Sequence, residues 1–360
     1  MRVKLKDITK FSKGTQINGK NLIDDGAYSY LNGGINPSGK WNEFNVAENT
    51  VTISEGGNSS GYVNYMNKAF WCGAHCYYLY DGPKNSKYLY YALKSQQERL
   101  FRIRSGACMP NIKKSDLGNF IIEYEEDETR QEEVVKVLEK CELLIEDYNK
   151  KLALLDEAVR ARFVEMFGDP VDNPMNWKKK KLKDIVTEDC TISYGIVQTG
   201  EEQKEGIPVF RPVDIVNHTP KVEELKKTTE FISDRYKKTL LKGHELLITV
   251  RANIADTFIA DKEFMGCNVG RGIVPIRTQE DIMRLEFLKC LIDNRHLNDI
   301  LKSKAKGITL IQLNMEDLRN VELIIPPIDL QIDYLKYSSL IDKSRLLSNH
   351  SLLLLKSIIF

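Results

Sequence analysis

Three residues that can bind a metal ion stand close together in Cys72-Gly73-Ala74-His75-Cys76. Two thiolates and an imidazole suit Zn²⁺, but a structural zinc site needs a fourth ligand, which a second Cys/His pair usually supplies. No second pair of this kind is evident, and the second half of the chain does not repeat the spacing. The pattern therefore favours small buried residues in a strand over a metal site.

Two other short patterns are compatible with catalysis. Pro212-Val213-Asp214 followed by Glu224-Leu225-Lys226 resembles the acidic and Glu-x-Lys spacing of metal-dependent nucleases, although such patterns arise often in a highly charged chain. Asn173-Pro174-Met175-Asn176 resembles the loop with which amino-methyltransferases hold a flipped base, but it lacks the aromatic residue and a glycine-rich cofactor motif. A phosphate-binding loop and a dinucleotide fingerprint are also missing. We therefore predict no catalytic residue, no metal ligand and no bound cofactor in this chain.

Cations and asparagines in glycine-containing loops remain as candidates for binding. Such loops let the backbone approach a phosphate closely, and an asparagine side chain can pair with the edge of an adenine. A single surface lysine is usually only solvated, so the argument depends on finding these loops in two copies. The candidate DNA-binding residues are Asn32, Lys40, Asn58, Arg104, Asn111, Lys113, Lys179, Arg211, Arg251, Asn253, Arg271, Lys304 and Lys306.

The chain contains an internal duplication. The pentapeptide KLKDI at residues 4–8 recurs at residues 181–185, and the segments after each copy run in parallel. "VTISEGGNSSGYV" at 51–63 matches "LLITVRANIADTF" at 246–258, and "NIKKSDLGNFII" at 111–122 matches "QLNMEDLRNVELII" at 312–325. Each copy combines short β-like runs with helix-like segments, so the pattern predicts two related domains in tandem.

Each copy ends in a long helix-like segment. Residues 128–167 contain neither proline nor glycine, and Gly168-Asp169-Pro170 then predicts the helix end. A helix of this length measures about 60 Å, which exceeds the width of such a domain, so we expect the two helices to pair antiparallel with a domain at each end. The apolar stripes expected to form the contact are Val134, Val137, Leu138, Cys141, Leu144, Ile145, Tyr148, Leu152, Leu155, Ala158 and Val159 in the first helix, and Leu340, Leu347 and Leu354, flanked by Ile341 and Ile358, in the second.

Composition agrees with a globular protein of two domains. The chain has 360 residues, of which 42% are hydrophobic and 29% are charged, with a net charge of +1. No run of 18 apolar residues occurs, so we expect neither a signal peptide nor a transmembrane helix. Seven irregularly spaced cysteines indicate free thiols in the cytoplasm. The predicted boundaries are a first domain at 1–127, a spacer helix at 128–168, a second domain at 169–327 and a second spacer helix at 328–360.

Over essentially its whole length the chain resembles the specificity subunit of type I restriction–modification systems. The most specific matches are "GACMPNIKKSDLGNFII", "GITLIQLNMEDLRNVELIIPPIDLQ" and "ALLDEAVRARFVEMFGD" at 153–169. Two features depart from the family pattern: "EYEEDETRQ" replaces the usual Pro-Pro before the first helix, and the second helix ends early, at Phe360.

The resemblance implies an α+β chain in which two tandem α/β target-recognition domains are separated by two long antiparallel coiled-coil helices. It implies binding to double-stranded DNA, with each domain reading half of a bipartite asymmetric site. The implied partners are two methyltransferase subunits and the restriction/translocase subunits, which would bind S-adenosylmethionine, Mg²⁺ and ATP. Two alternatives stay open: the recognition fragment of a type IIG-like restriction–modification enzyme, and a non-catalytic coiled-coil adaptor.

Overall fold

The computed structural model describes residues 1–106, 108–216, 220–307 and 311–359. Its contacts divide the chain into two compact units, Met1–Leu152 with Leu346–Phe360 and Ala153–Arg345. Phe360 and residues 308–310 of the "GITLIQ" motif lie outside the described residues. No helix of the described part is long and apolar enough to cross a membrane.

The first unit contains three small sheets and four short helices among its described residues. Its strands are β1 (Arg2–Lys4), β2 (Lys10–Lys13), β3 (Tyr28–Leu31), β4 (Gly39–Trp41), β5 (Thr50–Ser54), β6 (Val63–Met66), β7 (Phe70–Cys72), β8 (Cys76–Tyr80) and β9 (Ile121–Glu123), and its short helices are α1 (Leu5–Ile8), α2 (Ser86–Lys94), α3 (Gln97–Arg102) and α4 (Lys114–Gly118). The sheets have the strand orders β1-β9, β2-β8-β5-β6 and β4-β3-β7. Strand β3 runs parallel to β7, and the other pairs are antiparallel.

The second unit repeats this plan. Its strands are β10 (Lys179–Lys181), β11 (Ile207–Phe210), β12 (Lys226–Thr228), β13 (Glu245–Thr249), β14 (Thr257–Ala260), β15 (Asn268–Val269), β16 (Ile273–Ile276) and β17 (Glu322–Ile324), and its short helices are α6 (Pro212–Val216), α7 (Glu230–Asp234), α8 (Leu285–Asp293), α9 (Arg295–Ser303) and α10 (Met315–Arg319). The sheets have the orders β10-β17, β14-β13-β16 and β12-β11-β15, with β11 parallel to β15. The predicted α+β class and tandem repeat are confirmed by this correspondence.

The duplicated pentapeptide belongs to the shared framework. Leu5 and Leu182 occupy the same place in the two copies, and both side chains are fully buried. Their backbone N–H groups donate to Phe120 O and Val321 O, each at 2.9 Å. KLKDI therefore recurs because each unit contains the same turn. This turn follows the first strand, and its backbone is hydrogen-bonded to the segment just after the last short helix.

The two long helices, α5 (Glu128–Phe167) and α11 (Ile328–Ile359), are antiparallel. In the first unit, Val135 and Cys141 from the early turns of α5 share an apolar cluster with Ile359 from the end of α11. In the second unit, Phe163 in the last turns of α5 packs 5.5 Å from the ring of Tyr334 in the early turns of α11. The expected antiparallel pair is confirmed.

The contact seam does not follow the stripe expected for α11. Leu340, Leu347 and Leu354 are 65%, 71% and 54% exposed, so that part of the prediction is wrong. The buried positions of α11 instead are Gln331, Tyr334, Ser348, Leu352 and Ile359. This face carries polar residues as well as apolar ones. Its positions also follow a seven-residue repeat, which is displaced by about one residue from the repeat of the leucines. A pattern of apolar residues alone does not indicate this face, because two of its five buried residues, Gln331 and Ser348, are polar.

A buried glutamine stands at the start of each long helix. Gln131 donates to Glu125 O at 2.7 Å, and Gln331 donates to Pro326 O at 2.9 Å. Gln331 also accepts from Arg284 N at 3.0 Å and donates to Ile282 O. Each amide therefore ties the first turns of a helix to the segment that enters it.

Candidate functional site

In each unit two loops meet on the segment that precedes the last short helix. In the first unit, Gly56 from the β5–β6 turn and Ser105 from the segment after α3 both form β-bridges with Asn111. In the second, Arg251 from the β13–β14 turn and Lys306 from the segment after α9 both form bridges with Gln312. We call this meeting point the bridge site, and it is equivalent in the two copies.

In both units the turn has a left-handed residue near its start and another at its end, although the residue types differ. Gly57 and Gly61 have φ values of +76° and +84°, and Ala252 and Ala255 have φ values of +62° each. Hydrogen bonds show that Gly61 corresponds to Ala255, because both N–H groups donate to the residue that ends the strand, Ser54 and Thr249. The sequence match had placed Gly61 one residue later, opposite Asp256. The turn of the first unit is thus one residue longer.

Alanine is unfavourable in the left-handed backbone conformation, since its methyl group crowds the following carbonyl. The second turn is nevertheless held by its neighbours: Thr249 Oγ1 donates to Asn253 O, and Asn298 Nδ2 donates to Ala255 O at 3.0 Å. Ala252 and Asn253 at the tip of this turn are exposed. Strain of this kind is commonly found where a loop is held for function.

At the bridge site of the second unit, one cation is held by side chains. Arg251 Nε donates to Gln312 Oε1 at 2.7 Å, and Gln312 Nε2 donates to the hydroxyl of Tyr194. Arg251 forms no ion pair with any acidic residue that the structure describes. Its two terminal nitrogens can therefore donate to a ligand, with the plane of the guanidinium already oriented.

The bridge site of the first unit carries no cation on the turn itself. Arg104 approaches it from the segment after α3, donating to Phe101 O at 2.8 Å and to Asn58 O at 3.3 Å. The side chain of Asn111 accepts from Ser105 Oγ at 3.0 Å. The structure thus brings Asn58, Arg104 and Asn111 together. In the second unit Arg251 and Lys306 both bridge to Gln312, and Asn253 lies in the same turn as Arg251.

Several other predicted residues have structural partners. Asn32 Oδ1 accepts from His75 N at 3.3 Å, and Lys179 Nζ donates to Val171 O at 3.0 Å. Arg211 pairs with Asp214 through two bonds of 2.6 and 3.0 Å, and this contact raises the pKa of the guanidinium. These contacts engage donors of Lys179 and Arg211 and the side-chain acceptor of Asn32, so each of the three offers fewer groups to a ligand.

The remaining predicted residues lie outside the side-chain contacts of the bridge site. Lys40 is on β4, Lys113 precedes α4 and Lys304 follows α9. Arg271 precedes Gly272, whose carbonyl accepts a hydrogen bond from Val250 N at 2.8 Å. An added Cβ at Gly272 would lie 2.5 Å from Pro212 Cγ, so this glycine leaves room for the proline ring.

The Cys72–Cys76 segment lies beside the turn of the first unit, because Glu55, which precedes Gly56, donates its backbone N–H to His75 O at 2.9 Å. Cys72 ends β7 and Cys76 begins β8, and both are buried, while His75 between them is exposed and lies 3.3 Å from Glu55. The hydrogen bond to the neighbouring Cys76 thiol, together with burial, raises the pKa of Cys72.

Sequence reasoning missed Gln312 and Tyr194. Gln312 is the counterpart of Asn111, which was selected, so a position-by-position comparison of the two copies could have identified it. Tyr194 lies in the segment between the second KLKDI copy and β11, for which the repeat offered no counterpart.

A family model described as the type I restriction modification DNA specificity domain matches residues 1–156 and 174–349. The chain therefore belongs to this family and contains two copies of its domain. Relatives include a type I specificity subunit of Mycoplasma pneumoniae, 37% identical over 197 residues that cover 54% of this chain and 51% of the relative. The EcoBI specificity subunit of Escherichia coli is 23% identical over 217 residues, 60% of this chain and 46% of the relative. The chain spans about half the length of the curated relatives it matches.

Solved structures agree on the fold. The crystal structure of a type I restriction–modification S subunit from M. genitalium has a TM-score of 0.62 and 19% identity, covering 100% of this chain and 93% of that one. A chain from a structure of type I system assembly and conformational transition has a TM-score of 0.58 and 17% identity, with 100% and 95% coverage. At these identities the likeness shows the architecture alone.

Proposed function

We propose that this chain reads a bipartite, asymmetric sequence in double-stranded DNA for a type I restriction–modification system. The observation that carries the proposal is the bridge site, which has one backbone framework in two copies with different side chains. Because the framework is shared, each unit places its side chains against a base pair in the same arrangement. The different side chains then select different bases. Each unit therefore reads its own half-site.

Selection from a random-sequence duplex library tests this proposal. The purified chain is expected to enrich two short, unlike half-sequences separated by a constant unread gap. Affinity should fall steeply with salt, because contacts to phosphates release counterions. A coiled-coil adaptor without DNA recognition would show neither enrichment nor a salt slope, and that result would refute the proposal.

Methyltransferase subunits are the partners that we propose for the exposed leucines of α11. Leu346, Leu347, Leu353, Leu354 and Ile358 are each more than half exposed and lie within 13 residues. Soluble proteins seldom leave such a patch uncovered, so it marks an interaction surface. We infer that two methyltransferase subunits and the restriction subunits assemble with this chain in the cytoplasm and bind the S-adenosylmethionine, Mg²⁺ and ATP. The chain itself would then carry out no catalytic step.

Charged substitutions test this partner surface. Leu347→Lys combined with Leu354→Lys should abolish co-purification with the cognate methyltransferase subunit, because the lysines would be desolvated in the contact. Asn349→Lys combined with His350→Lys adds the same charge at exposed polar positions of the same helix and should leave assembly intact. Equal binding by both double variants would place the methyltransferase elsewhere.

A further inference from the structure

The bridge site differs between the two units in one way that bears on which base is read. The turn carries Gly56 in the first unit and Arg251 in the second, although both residues form the same β-bridge to the same strand position. Framework residues of the two copies are alike in size, as the buried Leu5 and Leu182 are and as the glycines and alanines of the turn are, whereas a glycine and an arginine are not. Arg251 therefore belongs to the part of the site that distinguishes the two units.

Arg251 is also held in a way that a simple phosphate contact does not require. Gln312 accepts from its Nε, and the amide of Gln312 is itself oriented by its bond to Tyr194. Phosphates accept hydrogen bonds from many directions, whereas a base edge accepts them only in its own plane.

We propose that Arg251 reads a guanine in the half-site of the second unit, with Gln312 and Tyr194 as positioning residues. This inference rests on the proposed function. With Nε engaged by Gln312, the two terminal nitrogens of the guanidinium form the fork that matches O6 and N7 of guanine in the major groove. The first unit has no cation at this position and reads its half-site with other groups.

Selected duplexes provide a direct test with the unaltered chain. Replacement of one guanine at a time by 7-deazaguanine removes the N7 acceptor and leaves base pairing unchanged. One guanine of one half-site should prove sensitive, with affinity reduced about tenfold. Arg251→Ala should weaken binding to the natural site by a similar factor, and its binding should no longer respond to that replacement.

Two further variants separate base reading from loss of charge and from misfolding. Arg295→Ala removes another arginine of the same unit, whose side chain is 97% exposed on α9, and should retain the guanine preference. Gln312→Ala should reduce the preference at the same guanine in the natural background and have no effect in the Arg251→Ala background. Such non-additivity shows that Gln312 acts through Arg251.

The outcomes distinguish the inference from the function on which it rests. If the chain selects a bipartite site but no guanine responds to 7-deazaguanine, the inference is wrong and the proposed function stands. If Arg251→Ala weakens binding to all duplexes equally, Arg251 is a phosphate contact and the inference is again wrong. If the chain selects no sequence at all, both fail.

Discussion

At the scale of single residues, the two units use different residues for the same left-handed backbone positions. The β5–β6 turn has glycines at left-handed φ values, and the β13–β14 turn has alanines there. Glycine accepts these angles without steric cost, while alanine needs the surrounding hydrogen bonds to hold it there. A difference of this kind is tolerable because the framework around the turn is the same.

Gly57→Ala should reduce the stability of the first unit by about 1 kcal/mol, because an alanine at a left-handed φ is strained. A clash with neighbouring residues is not the cause, since no such atom lies within 4 Å of the added Cβ. Gly19→Ala is the matched control, for its Cβ also meets nothing and its φ is not left-handed. Hydrogen exchange of amides in the first unit would measure both changes, and equal effects would rule out backbone strain.

A second residue-scale prediction concerns pH. Lys94 is buried, and burial lowers its pKa from 10.5 to about 8 in the folded chain. Between these values the unfolded chain binds the proton more tightly, so the contribution of Lys94 to stability rises with pH and is complete only above its unfolded pKa. Lys94→Met should remove this rise. Urea denaturation of both proteins from pH 7 to 10 would reveal it, and parallel pH profiles would contradict the assignment.

At the scale of elements, the start of each long helix depends on one buried amide. Gln331 satisfies an N–H and two carbonyl groups from the segments around it. Gln131 occupies the same place in α5 and is also buried. The repeat therefore includes the polar connection between each recognition unit and its helix, as well as the apolar core.

Gln331→Ala should destabilise the second unit by about 1–3 kcal/mol, since it leaves buried donors and acceptors without partners. Ser339→Ala on the exposed face of the same helix is the control and should change stability by less than about 0.5 kcal/mol. Denaturation midpoints with the slope of each transition would measure both. A change for Gln331→Ala no larger than the control would show that the amide does not anchor the helix.

At the scale of the whole molecule, the proposed bipartite reading implies that the two long helices set the length of the unread gap between the half-sites. Contacts divide the chain after Leu152 in α5 and after Arg345 in α11. Deletions next to these points avoid the clusters that attach each helix to its unit. A deletion of seven residues also preserves the heptad register of the pair.

Removing residues 146–152 together with residues 346–352 should shorten each helix by about 10 Å. That distance corresponds to roughly three base pairs at ~3.4 Å each, so the unread gap should shrink by about three base pairs. The two half-sequences should stay unchanged, because neither bridge site is altered. Library selection with the deletion variant would measure the gap, and a gap of the original length would show that the helices do not set it.

Local patterns in the sequence were sufficient for the parts of this protein that repeat. The duplicated order of short strands and helices, the two long helices and the stop at Gly168 all follow from periodicity, glycine and proline, which act over a few residues. Loops with cations and asparagines were also predicted. Five of those residues meet at the two bridge sites, and Asn253 lies in the same turn as Arg251.

Tertiary structure decided what depends on neighbours distant in the chain. The seam of α11 runs through Gln331, Tyr334 and Ser348 instead of Leu340, Leu347 and Leu354, because burial is decided by what packs opposite. Gln312 lies 61 residues from Arg251, and no local pattern joins them. Nor could a sequence show that Arg211 is engaged by Asp214 while Arg251 can still donate to a ligand. The type of a residue fixes the chemistry of its side chain. Whether that side chain can still bind a ligand depends on which partners the fold brings within hydrogen-bonding distance.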